Sequence, residues 1–147
     1  MMLGTFSSNL TSQRRVAVPI KFRKELGKTF IVARWYENCL VVVSKANWQE
    51  LLNKLTGRSK ILTSPVRDTD RFILGSAYDL ITDSQGRVVL PESLVKFAKL
   101  RTEVVFVGLG DRVEVWDKAE WSRREEYFTR NASEMIEKLA EDEKGSQ

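Results

Sequence analysis

The sequence predicts an α+β fold, mainly β with short helices, in which two copies of one β-rich unit close a shared barrel and a longer helix follows. Three observations carry this. The chain repeats itself, its β-branched residues fall in short runs punctuated by Gly and Pro, and its longest helical stripe lies at the C-terminus.

Ser12, Gln13, Arg15, Val16, Val18 and Pro19 align with Ser84, Gln85, Arg87, Val88, Leu90 and Pro91 at an offset of 72 residues. Lys45-Ala46-Asn47-Trp48 aligns with Lys118-Ala119-Glu120-Trp121 at an offset of 73. Two matches in one order at nearly one offset describe a tandem duplication of a unit of roughly 50 residues, too small to bury a core alone.

Within each unit a polar stretch leads to a turn, at Ser12-Gln13-Arg14 or Ser84-Gln85-Gly86. Gly86 supplies the freedom for positive φ that a tight reversal favours, whereas Arg14 must accept that conformation at a cost or use a different turn. Arg-Val-x-Val/Leu-Pro then alternates as a half-buried strand that Pro ends. Pro19 opens a helical turn over Ile20 to Leu26 with Gly27 as its stop, and Pro91 opens a counterpart around Leu94 to Leu100. Strand-like runs follow at Thr29 to Ala33, Leu40 to Val43, Glu103 to Val107 and Arg112 to Trp116, the last two joined by Gly108-Leu109-Gly110-Asp111. Each unit thus reads as a hairpin, a helical turn and a second hairpin, the two copies related by a pseudo-two-fold axis.

Helices come after the units. Ser44 caps one with apolar positions Trp48, Leu51, Leu52 and Leu55, and Ser64-Pro65 reads as N-cap and first position of another ending near Leu74-Gly75. Asp117 is the expected cap of the terminal helix, whose stripe is Trp121, Phe128, Ala132, Met135 and Leu139. That stripe serves either ordinary packing or docking on a neighbouring subunit. The acidic end, residues 140 to 147, is expected to fray. The resulting organisation is a first module at 5–47, a helical connector at 48–75, a second module at 76–119, and a C-terminal helix with its acidic tail at 120–147.

Composition narrows the chemistry. Histidine is absent from the 147 residues and Cys39 is the single cysteine. That removes the commonest general base, Ser-His and Cys-His nucleophile pairs, a disulfide framework and a multi-cysteine zinc site. No cofactor, metal or small-molecule substrate is expected, and an enzyme is the weakest reading; Cys39, beside the Leu40 to Val43 run, reads as a small buried residue. The longest apolar runs fall far short of the roughly 20 residues of a membrane span, so no membrane is expected and the chain reads as cytoplasmic. The net charge is +4, but residues 1–60 hold a balance of +8 and residues 111–147 one of −4. A basic block attracts polyanions because each neutralised phosphate releases counterions; it also serves as a solubilising surface.

The most informative pattern is an arginine at the same point of both turns. Arginine offers five donors in a planar fork that suits phosphate and the O6/N7 edge of guanine. The alternative is internal pairing, Asp83 with Arg87 for example, to stabilise the turns.

Asp83-Ser84-Gln85-Gly86-Arg87 with Val88-Val89-Leu90-Pro91, its degenerate copy at Thr11 to Pro19, the opening Leu3-Gly4-Thr5-Phe6 and the closing Val115-Trp116-Asp117 with Trp121 resemble the MraZ family. That family comprises bacterial transcription regulators built of two tandem SpoVT-AbrB-type modules, and the resemblance covers residues 2 to 130. It implies a β-barrel of AbrB-like swapped-hairpin type and assembly into a homo-oligomeric ring. It also implies binding, as a repressor, to direct repeats of double-stranded DNA in the promoter of the division and cell-wall gene cluster, at the nucleoid. The family's Asp-x-x-x-Arg motif maps onto Asp83 and Arg87, and onto Arg15 in the first unit. There Thr11 replaces Asp and Arg14 replaces Gly, so the first turn gains charge. The expected DNA contacts are Ser12, Gln13, Arg14 and Arg15 at the first turn, Lys21, Arg23 and Lys24 on phosphates beside it, and Asp83, Gln85 and Arg87 at the second. A ring-forming scaffold for protein partners and an AbrB-like antitoxin module are the rival readings.

Overall fold

The structure is a computed structural model that describes residues 1–56 and 63–145. The described strands are β1 (Met2–Asn9), β2 (Arg15–Ala17), β3 (Thr29–Arg34), β4 (Leu40–Ser44), β5 (Tyr78–Ile81), β6 (Arg87–Val89), β7 (Glu103–Gly110) and β8 (Val113–Asp117). The α-helices are α1 (Ile20–Leu26), α2 (Lys45–Thr56), α3 (Ser64–Ile73), α4 (Glu92–Phe97) and α5 (Lys118–Gly145). The class is α+β, as the sequence predicts.

Among the described residues every strand pairing is antiparallel. One sheet runs β1-β7-β8-β4-β3-β5, and β2 pairs with β6 in a separate ribbon. The second hairpin of each unit, β3–β4 and β7–β8, forms as expected. The first does not. β1 lies along β7 from Met2 opposite Gly110 to Asn9 opposite Glu103, and β5 lies along β3. Each unit therefore lends its leading strand to the other. The Thr11–Arg14 turn takes the chain out of β1 and into the ribbon, so β1 and β2 do not pair as strands and are linked by a side chain, Ser8 Oγ donating to the Ala17 carbonyl at 3.0 Å. The hydrogen-bonded ladder is open at β1 and β5, where a closed barrel was expected.

Burial explains the apolar runs. On the inner face Val32, Val42, Val104, Phe106, Val113 and Val115 pack with Val16 and Val88 of the ribbon and with Phe22 and Leu94 of α1 and α4. On the outer face Ala33, Val41, Val43, Val105 and Trp116 pack with Leu51 of α2 and Ile73 of α3, and Trp121 of α5 joins them. β4 is thus buried on both faces, which is why Leu40 to Val43 shows no alternation. Phe22 meets Phe6 edge-on, with ring centroids 5.3 Å apart.

The ends of the helices refine the expectations. Ser44 Oγ accepts the Asn47 amide at 3.3 Å, the expected cap. In α3 the N-cap is Thr63, so Ser64 and Pro65 are already helical and Ser64 is not the cap. α4 ends at Phe97, earlier than expected, because Lys99 turns to φ +52°. Asp117 is buried and does not cap α5. Its carboxylate instead accepts the Arg101 amide at 3.0 Å and pairs with the Arg101 guanidinium at 3.3 Å, joining the start of β7 to the end of β8. α5 continues to Gly145 where fraying was expected, since Ala, Glu and Lys all favour the helix, and the rest of that expected tail, residues 146–147, lies outside the described residues. Of its stripe, Trp121 packs on Trp116 at 5.6 Å and Phe128 on Trp121 at 5.6 Å, whereas Met135 and Leu139 are exposed. The near half of the stripe is packing and the far half is bare.

Cys39 is buried, and burial pushes its thiol pKa far up, so it is no nucleophile. Glu114, beside it, accepts the Trp116 indole N–H at 2.9 Å. Burial first, and Glu37 further off, raise the Glu114 carboxyl above its ordinary 4.5. A carboxyl with a raised folded pKa contributes stability below the unfolded pKa that is lost as pH rises through the folded value. Glu114→Gln, which keeps an acceptor for Trp116, is accordingly expected to stabilise the protein at neutral pH, the gain shrinking as pH falls toward 4.5. Thermal melts at fixed chain concentration across that range check this; a pH-independent difference would contradict it.

Candidate nucleic-acid interface

The ribbon is three pairs long: Arg15 opposite Val89, Val16 opposite Val88, and Ala17 opposite Arg87. Alternation sends Val16 and Val88 into the core and turns Arg15, Ala17, Arg87 and Val89 to the other face. Both arginines thus share one outward face, diagonal to each other and separated by about 7–8 Å. Their turns sit at opposite ends of the ribbon, because each arginine opens its own strand and the strands run antiparallel.

The two turns have the same backbone. Arg14 N–H donates to the Thr11 carbonyl at 2.9 Å and Thr11 N–H to the Arg15 carbonyl at 2.9 Å. Gly86 N–H donates to the Asp83 carbonyl at 3.0 Å and Asp83 N–H to the Arg87 carbonyl at 2.8 Å. Arg14 takes φ +63° where Gly86 takes +75°, so Arg14 accepts the left-handed conformation and its strain. Thr11 also stands in for Asp83 as an acceptor: its Oγ1 receives the Arg15 amide at 3.0 Å, as Asp83 Oδ1 receives the Arg87 amide at 3.0 Å.

The arginine side chains then diverge. Arg87 Nε is held by Asp83 Oδ2 at 3.0 Å, while Asp83 Oδ1 also receives the Gln85 amide at 2.9 Å. The Arg87 amide first, then the Gln85 amide and the Arg87 side chain, hold the Asp83 carboxyl below its ordinary range. Arg15 has no such anchor. Among the described residues its guanidinium has no hydrogen-bond or ion-pair partner, and the residue is exposed. Among the described residues internal pairing of the repeat arginine is therefore realised in the second unit and absent from the first.

Two other expected contacts are partly committed inward. Arg23 Nε donates to the Val18 carbonyl at 2.7 Å, and its guanidinium lies over Gly86. Arg14 Nε donates to the Leu90 carbonyl at 2.9 Å. Val18 and Leu90 are repeat counterparts, so one cationic clamp is built twice: from helix α1 in one half, and from the turn itself in the other, where Val95 stands at the position of Arg23. The substitution pattern between the aligned copies, Arg14 for Gly86 and Val95 for Arg23, carries the signal for this clamp. Read one turn at a time it passes unnoticed. Lys21 and Lys24 are exposed on α1, with Lys21 Nζ 5.6 Å from the Phe6 ring centre. Ser12, Gln13 and Gln85 are exposed at the turns. Among the described residues there is no cluster of groups able to hold a metal ion, and no helix is long and apolar enough to cross a membrane.

Fold and ribbon together define a duplicated α+β protein whose two units interlace through their leading strands and share one arginine-bearing ribbon. The family described as "MraZ protein, putative antitoxin-like" matches the chain twice, over residues 1–71 and 73–143. The chain is 38% identical over 141 residues to the transcriptional regulator MraZ of Desulforamulus reducens, covering 96% of each protein. It is 34% identical to that of Thermoanaerobacter sp. strain X514 (96% of this chain, 95% of the relative) and 32% identical to that of Clostridium tetani (96% and 98%). The chain belongs to the MraZ family, a family of transcriptional regulators and not of enzymes.

Proposed function

We propose that the protein is a DNA-binding transcriptional regulator that lays the exposed face of the β2–β6 ribbon into the major groove. The observation that carries this is the pair of arginines on one bare face of a two-stranded ribbon. The major groove, about 12 Å wide, admits such a ribbon, and an arginine fork matches the guanine edge or a phosphate. Lys21 and Lys24 extend the positive surface toward the backbone. The names of the relatives support regulation of transcription. In this reading the protein acts as a repressor in the cytoplasm, at the nucleoid. One ribbon binds weakly; a homo-oligomeric ring presenting several engages direct repeats in the promoter of the division and cell-wall gene cluster, and effective concentration multiplies the affinity.

The test is Arg15→Ala with Arg87→Ala, titrated against the protein's own promoter DNA at fixed salt. At about 1–3 kcal/mol per contact, the double variant is expected to lose about a hundredfold in affinity. A folded double variant of unchanged oligomeric mass that titrates like the wild type would overturn the assignment. A scaffold for protein partners would show neither steep salt dependence nor preference for repeated sites.

A further inference from the structure

The two arginines of the ribbon are equivalent by repeat and inequivalent by environment. Arg87 is gripped at Nε by Asp83 at 3.0 Å, and the Arg23 guanidinium lies over Gly86 of the turn beside it. Its two terminal nitrogens remain as a pre-aimed fork. Arg15 keeps the same backbone turn through Thr11 Oγ1, but Thr11 has no carboxylate to reach the guanidinium, which is exposed. We infer that the ribbon divides its labour. Arg87 reads a guanine by a bidentate contact to O6 and N7, and Arg15 follows the phosphate backbone. Asp83 is a positioning residue for Arg87.

The physical reason is the entropy of the side chain. A bidentate contact to a base edge needs the fork within narrow limits of distance and angle, and a second residue that locks it lowers the cost of reaching them. A phosphate offers several oxygens over a wide arc and tolerates a mobile partner. A bare arginine with a full rotamer range therefore suits the backbone, and a carboxylate-braced one suits the base. The basic character of the first turn, with Arg14 beside Arg15, points the same way: more charge adds affinity for any sequence, not choice among sequences.

The inference rests on the DNA-binding reading, and the experiment separates the two. A duplex is selected from a random library with the wild-type protein, and affinities are measured for it and for a scrambled duplex of equal length over a salt series. Asp83→Asn retains a side-chain oxygen for the Arg87 and Gln85 amides while releasing the guanidinium. It is expected to reduce the ratio of selected to scrambled affinity about tenfold without weakening binding to the scrambled duplex. Arg15→Ala is expected to weaken both duplexes alike and to lower the salt slope by about one, leaving the ratio unchanged. Replacing the guanines of the selected site in turn by 7-deazaguanine, which lacks N7, is expected to reveal one position that weakens the wild type and not Asp83→Asn. The division of labour is overturned if Arg15→Ala collapses the ratio or Asp83→Asn preserves it. The DNA-binding reading fails separately if selection enriches no sequence and wild-type binding shows no salt dependence.

Discussion

Gly108→Ala is expected to detach the start of β1 and to cost about 3 kcal/mol or more, the sum of overpacking and of lost burial of one large side chain. Gly108 lies opposite Gly4 in the β1–β7 ladder. A Cβ at position 108 would stand 2.7 Å from the Met2 carbonyl carbon and oxygen and 2.8 Å from the Leu3 nitrogen. These are backbone atoms, which cannot swing aside as a side-chain tip does. β1 must lift, and Met2, 1% exposed, leaves the core with it. Urea unfolding at fixed chain concentration is the measurement. The midpoint should fall, and the m-value should fall too, because a folded state with a loose first strand exposes less new surface on unfolding. A variant with the wild-type midpoint would show that the strand is not held there.

Gly86→Ala is expected to cost about 2 kcal/mol, by two routes. The residue sits at φ +75°, where a Cβ costs about 1 kcal/mol or more. Its Cβ would also overlap the Arg23 guanidinium, which must leave the Val18 carbonyl and give up a hydrogen bond worth about 1 kcal/mol. The second part is testable by a cycle. In an Arg23→Ala background the clamp is already gone, so Gly86→Ala should cost only its backbone strain, about half as much. Equal costs in both backgrounds would show that Arg23 does not depend on the glycine.

These two glycines mark different depths of legibility. Gly86 was readable as a turn residue because the repeat set it against Arg14 in an otherwise matching stretch, and the structure gives both the same left-handed backbone. Gly108 was readable only as part of a hairpin connection; that β1 passes close over it was not, because β1 is about a hundred residues away along the chain. The same holds for Asp117. Its place before a helical pattern matches a cap, but the Arg101 amide, brought near by the β7–β8 pairing, takes its carboxylate. Ser44 meets no such competitor and caps as read. Where a local signal failed without such a competitor the error was small, as at α3, whose cap is Thr63 and not Ser64.

For the candidate interface, Arg15 and Arg87 were legible as a pair because duplication makes a repeated arginine stand out. Their common face follows from the β2–β6 pairing, which joins the two units and has no signature within either. The inward commitment of Arg14 and Arg23 shows only when the two copies are aligned: within either turn a guanidinium looks the same in sequence whether it meets phosphate, a carbonyl of its own half as Arg23 does, or one of the other half as Arg14 does.

By itself the sequence determined that two like units are joined in tandem, that each carries a turn, a short strand and a helix opened by Pro, and that an arginine opens the strand after each turn. These rest on φ preferences, periodicity and self-similarity, all properties of a short stretch of chain. Only the tertiary structure decided that the leading strands are exchanged, that the ladder stays open, and that one arginine is braced while its twin is bare. Strand pairing and side-chain partnership are contests among groups far apart in the chain, and they are settled by which arrangement buries the apolar faces of both units at once.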